Sequence, residues 1–214
     1  KARADYFANI TLVDRMVGRI VDSLKANGLY DNTIIVFTSE HGEMMGDHGM
    51  LEKRTLYEES SRVPMLIKLQ NQNDMKRIKG SFSHIDLVPT LLSKINQKLP
   101  ENLQGKDRSY AFEELDFGSN EVVVSWNGTG EIDDRNLGTE KINDLNQNPR
   151  RSIIINRIKL NLTLNDSGEL FDLNNDPYEE TNLIDSPEYQ ETRNIMKEKL
   201  IEWQINNEDN FRFD

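Results

Sequence analysis

The chain has 214 residues, of which 36% are hydrophobic, so it can form one large domain or two small ones around a buried core. Its net charge of −11 argues against a general nucleic-acid or anionic-membrane binder, because both of those surfaces carry negative charge themselves. There is no cysteine, which excludes disulfides, thiolate metal sites and cysteine nucleophiles within this sequence. No apolar run reaches the roughly 18 residues of a membrane span. The first residues lack the pattern of a secretory signal, so we expect the sequence to open inside a domain.

The first half of the sequence has the pattern of an α/β repeat. Apolar residues within 5–26 recur every three or four positions, which predicts a helix with one apolar face. They are Tyr6, Ile10, Val13, Val17, Ile20 and Leu24. An apolar run over 33–38 without alternation predicts a strand covered on both faces, in a mixed or parallel sheet. Residues 63–69 predict the next strand, and Asp86 is placed to cap a helix over 87–92.

The second half predicts a small α+β unit. Short β-branched and apolar runs predict four strands, over 121–126, 152–155, 159–164 and 169–173. A terminal helix is predicted over 187–203, packing through Tyr189, Ile195, Met196, Leu200 and Trp203. We therefore expect part of an α/β domain over residues 1–105. Linker loops and a small subdomain, with a four-stranded antiparallel sheet and a terminal helix, are expected over 106–214.

Side chains able to bind metal or move protons concentrate in residues 38–53, directly after the first predicted strand. The adjacent carboxylate and imidazole of Glu40 and His41 are both ligands of divalent cations. Open α/β sheets bind ligands at the carboxyl ends of their strands, where this segment begins. Glycines at positions 42, 46 and 49 permit turns that bring His48 and Lys53 towards the same point. From the residues alone, a metal site and an ordinary polar loop both stay open.

An ordered set of motifs extends this interpretation. It comprises Thr38-Ser39-Glu40-His41-Gly42-Glu43, Gly46-Asp47-His48-Gly49, Lys53, Tyr57-Glu58-Glu59, Arg62-Val63-Pro64, the run from Ser83 to Leu92, Leu103-Gln104-Gly105, the run from Glu169 to Pro177, and Glu180-Thr181-Asn182-Leu183. In this order the motifs resemble the formylglycine-dependent sulfatases of the alkaline phosphatase superfamily. The resemblance spans nearly the whole chain apart from the loops at 107–120 and 128–149. It implies the alkaline-phosphatase-like α/β fold with a small C-terminal unit.

The resemblance also implies roles for the residues of the loop. Glu40 and His41 match the family's pair of metal ligands, with Glu in place of the usual Asp. Because Glu reaches from one methylene further back, a flexible, oxygen-preferring ion such as Ca²⁺ fits better than octahedral Mg²⁺. Lys53 matches the lysine that contacts the sulfate oxygens, although Glu52 adds negative charge beside it. His48 matches a Gly-Asp-His-Gly turn, and it either lines the substrate pocket or structures the turn.

One family motif is absent from the sequence. The nucleophile of these sulfatases is a formylglycine made from a Cys/Ser-x-Pro-Ser-Arg motif, which these 214 residues do not contain. The resemblance therefore implies the C-terminal portion of a longer enzyme. Its partner would be the missing N-terminal half, which supplies the formylglycine and half of the metal ligands.

The predicted function is metal-dependent hydrolysis of a sulfate ester, carried by a sulfated small molecule or a sulfated carbohydrate. A phosphodiesterase or phosphonate monoester hydrolase of the same superfamily is the nearest enzymatic alternative. A catalytically inactive domain that binds an anion or a partner is the non-enzymatic one. The compartment is left open. The composition, rich in Asn, Ile and Lys, fits a bacterial enzyme, including a periplasmic or secreted one.

Overall fold

A computed structural model of the chain describes residues 2–118, 121–127, 148–164 and 167–211. The chain forms two compact units, Lys1–Met75 and Lys76–Asp214. The boundary predicted at residue 105 stays a prediction. Most of the predicted loop over 128–149 lies outside the described residues. Across the described part of the chain, no helix combines the length and apolar character that crossing a membrane requires.

The first unit opens with a long helix, α1, over Ala2–Ala26, which confirms the helix predicted from the apolar periodicity. The apolar face of α1 is not buried. Tyr6, Ile10, Val13 and Ile20 are all exposed, Ile20 to 60% of its surface. The periodicity therefore identifies the helix correctly, while the described residues leave most of its apolar stripe uncovered.

Two short strands complete the regular structure of the first unit, with a one-turn helix between them. Strand β1 spans Ile35–Thr38 and β2 spans Met65–Lys68, and the helix α2 covers Glu58–Ser61. The strands pair antiparallel, with Ile35 opposite Lys68. All four residues of β1 are half-buried. Within the described residues, β1 thus has an antiparallel neighbour, which is compatible with the mixed sheet of the prediction but not with a purely parallel one. A continuous apolar run indicates that both faces need cover, but it carries no information on the direction of the adjacent strand.

The second unit begins with helices α3, over Leu87–Lys94, and α4, over Ala111–Glu114. The prediction that Asp86 caps α3 is wrong, because its side chain makes no capping hydrogen bond. The buried Asp86 carboxylate instead accepts hydrogen bonds from the Lys106 amide at 2.8 Å and from Arg108 Nε at 3.1 Å. A charged donor stabilises a buried carboxylate more than a neutral backbone amide does. The Arg108 guanidinium is such a donor, whereas the amides at the start of α3 are neutral.

The predicted four-stranded antiparallel sheet is confirmed in the second unit. Its strands are β3 over Glu121–Trp126, β4 over Arg150–Ile155, β5 over Ile158–Thr163 and β6 over Glu169–Asp172, in the order β3-β4-β5-β6. The β4–β5 hairpin turns through Asn156 and Arg157, both with positive φ. Two such residues make a two-residue turn whose twist matches that of the strands.

The predicted terminal helix is also confirmed and forms α5, over Gln190–Asn206. It covers one face of the sheet and closes the core of this unit. The buried core residues are Ile153, Leu160, Leu162, Leu170, Ile184, Met196 and Leu200, with Tyr189 and Trp203 packed against them. Ile195 was predicted to pack there, but it is 48% exposed. Only one face of the helix contacts the sheet, so apolar residues on its other faces stay exposed.

Buried ion pairs also involve strands of the four-stranded sheet. Lys159 Nζ lies 2.9 Å from Glu179 Oε1, and both side chains are fully buried. Arg151 grips Asp209 with two nitrogens, at 2.7 and 2.9 Å, and donates a further bond to the Trp126 carbonyl. A paired guanidinium and carboxylate satisfy each other when water is excluded, so the Arg151–Asp209 pair ties the segment after α5 to the sheet.

Candidate active-site loop

The chemistry-bearing segment leaves the end of β1 and doubles back on itself. The Gly42 amide donates to the Ser60 carbonyl at 2.7 Å, and the Met44 amide donates to the Glu52 carbonyl at 2.9 Å. The Ser60 hydroxyl in turn donates to the Lys53 carbonyl at 2.5 Å. These bonds close the segment of residues 39–62, hereafter the site loop, so that Lys53 returns towards the residues that follow β1.

Gly42 makes this closure possible. A Cβ atom at this position would lie 1.9 Å from the Glu59 carbonyl oxygen and 2.9 Å from its carbon. Both atoms belong to the backbone and cannot rotate out of the way. The absence of a side chain at Gly42 therefore lets the two arms of the site loop approach closely enough to bond.

The two predicted metal ligands face each other at the start of the site loop. His41 Nε2 lies 3.5 Å from Glu40 Oε1, and the Glu40 side chain is 81% exposed. His41 Nδ1 lies 2.7 Å from the Gly42 carbonyl oxygen. Because a carbonyl can only accept, Nδ1 carries the proton there, and the lone pair of a neutral imidazole is on Nε2, beside the carboxylate. Ligating histidines commonly donate their second nitrogen to a backbone carbonyl in this way.

The electrostatics join Lys53 to this pair. The pKa of the Glu40 carboxyl is lowered, because its own backbone amide and the Ser39 hydroxyl donate to it and because His41 and Lys53 add positive charge nearby. Lys53 is exposed at the surface. The negative charge of Glu52 next to Lys53 would disfavour binding of an anion. Glu52 Oε2, however, lies 3.4 Å from Arg54 Nε and forms an ion pair with it. Thus the backbone bonds of the site loop return Lys53 towards the segment that carries Glu40 and His41, and Glu52 has a cation of its own.

His48 is held apart by a different set of contacts. It lies in a one-turn helix, Asp47–Gly49, with φ +52, and its ring stacks on Tyr57 at 3.9 Å and an angle of 2°. Arg3 of α1 holds the same turn, donating to the Met45 carbonyl at 3.0 Å and to Asp47 at 2.5 Å. The imidazole is thus fixed and exposed, and its role in the substrate pocket stays a prediction.

Three residues that hold the site loop had no predicted role of their own: Arg3, and also Glu43 and Tyr57, which stand within the quoted motifs. Each of them contacts a residue 9 to 44 positions away in the sequence, and a local periodic pattern does not predict contacts of that range. The Glu43 carboxylate accepts the Glu52 amide at 2.6 Å. The sequence signals for Glu43 were its place in the motif Thr38–Glu43 and its closeness to the predicted metal ligands.

The described residues do not provide a complete set of ligands for a metal ion. They contain no group of three or more His, Cys, Asp or Glu side chains able to hold a metal ion. Glu40 and His41 contribute one carboxylate and one suitably oriented nitrogen. The pair fits a fraction of a divalent-cation shell, because Ca²⁺ alone takes 6–8 ligands.

Comparison with known proteins decides which family this loop belongs to. The sulfatase family model matches residues 1–96, a stretch that includes the whole site loop. An arylsulfatase of Clostridium perfringens is 32% identical over 94% of the chain. This chain belongs to the sulfatase family, within the alkaline phosphatase superfamily. It spans about two-fifths of the length of the curated sulfatases it matches, 40% in the case of the Clostridium enzyme.

Solved structures agree with this sulfatase assignment. A protein in complex with its substrate, D-glucosamine-2-N,6-O-disulfate, superposes with a TM-score of 0.75 and 26% identity, over 94% of this chain and 40% of that one. The phosphonate monoester hydrolase of Agrobacterium radiobacter superposes with a TM-score of 0.70 and 27% identity, over 92% and 40%. The fold of this sulfatase chain is therefore shared by proteins that act on sulfur and on phosphorus esters.

Proposed function

We propose that the site loop forms one side of a sulfatase active site and that the complete enzyme hydrolyses sulfate esters in a metal-dependent reaction. The observation that carries this is the convergence of Glu40, His41 and Lys53. Glu40 Oε1 and His41 Nε2 lie 3.5 Å apart, and the positive charge of Lys53 is among the influences that lower the pKa of the Glu40 carboxyl. Sulfate transfer needs positive charge around the transferring group, which a cation held by Glu40 and His41 and the Lys53 ammonium would supply.

Glu40 and His41 would hold a divalent cation, for which Ca²⁺ is the proposed ion. The pKa of the Glu40 carboxyl is lowered, and a neutral His41 that donates from Nδ1 to the Gly42 carbonyl would offer Nε2 to the cation. When bound, the cation supplies charge stabilisation for the sulfate oxygens and orients the attacking group. Its remaining ligands would come from outside this chain.

Lys53 would contact the sulfate oxygens directly. Its ammonium stabilises the charge that develops on the bridging oxygen as the sulfur–oxygen bond breaks. His48, held by Tyr57, is proposed to line the pocket and to donate or accept a hydrogen bond at the substrate. The nucleophile is proposed to be a formylglycine supplied by a part of the enzyme outside these 214 residues.

The proposed substrate is a sulfated carbohydrate or another sulfated small molecule. The support is the structural relative whose substrate is a disulfated glucosamine. The proposed partner is the remainder of the same enzyme. In curated relatives such as the Clostridium arylsulfatase, about three-fifths of the sequence lies beyond the part that matches this chain. The exposed apolar stripe of α1, with Tyr6, Ile10, Val13 and Ile20, supports this partner, because large contiguous apolar surface is normally buried at an interface.

The first test is kinetic and uses the complete enzyme that contains this sequence. Lys53→Ala should lower kcat on an aryl sulfate roughly a hundred- to a thousand-fold, the usual effect of losing one charge-stabilising donor. Lys76→Ala, which removes an exposed lysine of the second unit, is the matched control and should leave turnover unchanged. Wild-type turnover by Lys53→Ala would remove the role proposed for this lysine.

The second test separates the metal site from the reaction class. Calorimetric titration with Ca²⁺ should show binding to the complete enzyme and to Glu101→Ala, an exposed control, but not to Glu40→Ala or His41→Ala. Turnover of an aryl phosphonate in place of the aryl sulfate would replace the sulfatase proposal with the phosphonate hydrolase one. Turnover of neither substrate by a Ca²⁺-loaded enzyme would favour a binding domain without catalysis.

A further inference from the structure

Glu43 points its carboxylate into the site loop. Glu43 Oε1 accepts a hydrogen bond from the Glu52 amide at 2.6 Å and lies 3.5 Å from the Met45 amide. The residue is half-buried, so these amides replace part of the water that would otherwise solvate the charge. A carboxylate acceptor makes this bond stronger than an ordinary neutral one.

The Glu52 amide is an unusual target, because Glu52 has φ +69. A residue with a side chain adopts this left-handed conformation only when its surroundings impose it. Here the surroundings act on both sides of the residue. Glu43 holds the amide, and the Met44 amide holds the Glu52 carbonyl at 2.9 Å.

These bonds fix the backbone of the next residue, Lys53. The peptide that precedes Lys53 is held through the Glu52 carbonyl, and the peptide that follows it is held by the Ser60 hydroxyl at 2.5 Å. Only the exposed side chain of Lys53 remains free to move. The point from which this side chain extends is consequently set by the local backbone, and Glu43 is a charged group that holds part of that backbone.

We propose that Glu43 is a positioning residue for Lys53. It acts by holding Glu52 in the left-handed conformation that directs the Lys53 ammonium to the anion. The proposal rests on the sulfatase function proposed above for its kinetic consequence, but its structural part stands independently. Glu43 makes no contact with substrate in this role.

The structural part is tested on the chain itself, by hydrogen exchange of the Glu52 amide. Glu43→Ala should speed exchange of this amide at least about tenfold, since its acceptor is gone. Glu43→Gln keeps a carbonyl oxygen at the same reach and should stay close to wild type. Glu43→Asp is one methylene too short and should resemble the alanine variant. Unchanged exchange in both Glu43→Ala and Glu43→Asp would overturn the proposal, whatever the enzyme does.

The kinetic part is tested by a double-mutant cycle in the complete enzyme. Misplacing a catalytic group by about 1 Å can cost up to roughly a hundredfold, so Glu43→Ala should lower kcat by about ten- to a hundredfold, with Glu43→Gln restoring most of it. In a Lys53→Ala background the same change should cost less than about twofold, because the group that Glu43 positions is absent.

Two outcomes of the cycle are distinct. If the two losses multiply, Glu43 does not act through Lys53, and the positioning role is overturned. If Lys53→Ala is itself fully active, the proposed sulfatase role of Lys53 fails, while the exchange of the Glu52 amide still decides whether Glu43 holds this backbone.

Discussion

Gly42→Ala places a methyl group where the Glu59 backbone already lies. The new Cβ would be 1.9 Å from the Glu59 carbonyl oxygen, and carbon–oxygen pairs do not approach within about 3 Å without strong repulsion. The two arms of the site loop must therefore separate by about 1 Å or more. That movement breaks the 2.7 Å hydrogen bond from the Gly42 amide to the Ser60 carbonyl.

The expected cost follows from these two effects. Overpacking of a tight site costs about 1–3 kcal/mol. Losing the backbone hydrogen bond adds about 0.5–1.5 kcal/mol. We therefore expect Gly42→Ala to lower the free energy of unfolding of the first unit by about 2–4 kcal/mol, a large part of the 5–15 kcal/mol typical of a folded domain.

The measurement is urea denaturation followed by two signals. Far-ultraviolet circular dichroism reports on all helices, and α1, with 25 residues, contributes the longest of those described. Fluorescence reports on the second unit, because the two tryptophans of the chain, Trp126 and Trp203, both belong to it. Gly42→Ala should shift the first signal and leave the second nearly unchanged.

Gly18→Ala is the matched control. It lies within α1 with open space around it, since an added Cβ meets no atom within 4 Å. Alanine is favoured over glycine inside a helix, so this variant should be more stable by about 0.5–1 kcal/mol. If Gly42→Ala stabilised the first unit to the same extent as Gly18→Ala, the close approach at Gly42 would not constrain the site loop.

Two further predictions concern the second unit. Leu200→Ala should lower the free energy of unfolding by about 2–5 kcal/mol in thermal or urea denaturation, because Leu200 is fully buried. Ile205→Ala, at a 64% exposed position, should change it by less than about 0.5 kcal/mol. Equal effects of the two substitutions would contradict the assignment of Leu200 to the core. Hydrogen bonding to Arg151 lowers the pKa of the Asp209 carboxyl in the folded protein. The contribution of Asp209 to the free energy of unfolding is therefore present above the pKa that this carboxyl has in the unfolded chain, and it is lost as the pH falls through the pKa of the folded state. The advantage of wild type over Asp209→Asn should accordingly be constant near neutral pH and shrink below about pH 4, and a difference independent of pH would show that the charge of Asp209 does not contribute.

The elements of this chain were predictable where a regular pattern runs along the sequence. Steps of three and four identified α1, and β-branched runs separated by turn residues identified β3 to β6. These signals are local, because a helix or a strand repeats its buried side chains with a fixed period. Glu40 and His41 were predicted as metal ligands from their residue types directly after a strand and from the family resemblance, and that role stays a prediction.

Partners and environments were less predictable. The carboxylate of Asp86 was expected at a helix end, but it binds Lys106 and Arg108 from a segment about 20 positions away. Ile195 has the spacing of a packing residue, yet it faces solvent. In both cases the sequence states what a side chain needs, and the fold decides which neighbour can meet that need.

The sequence by itself determined the three longer helices, the antiparallel sheet, the absence of thiol chemistry and the membership of the motifs in one ordered set, but not the one-turn helices α2 and α4. Only the tertiary structure decided that β1 pairs antiparallel with β2, that Lys53 returns towards the start of the site loop, and that Glu43 holds the Glu52 amide. The physical reason is the range of the interactions. Periodic burial is written into neighbouring residues, whereas the closure of the site loop depends on single hydrogen bonds between distant backbone atoms and on the space left by one missing Cβ at Gly42.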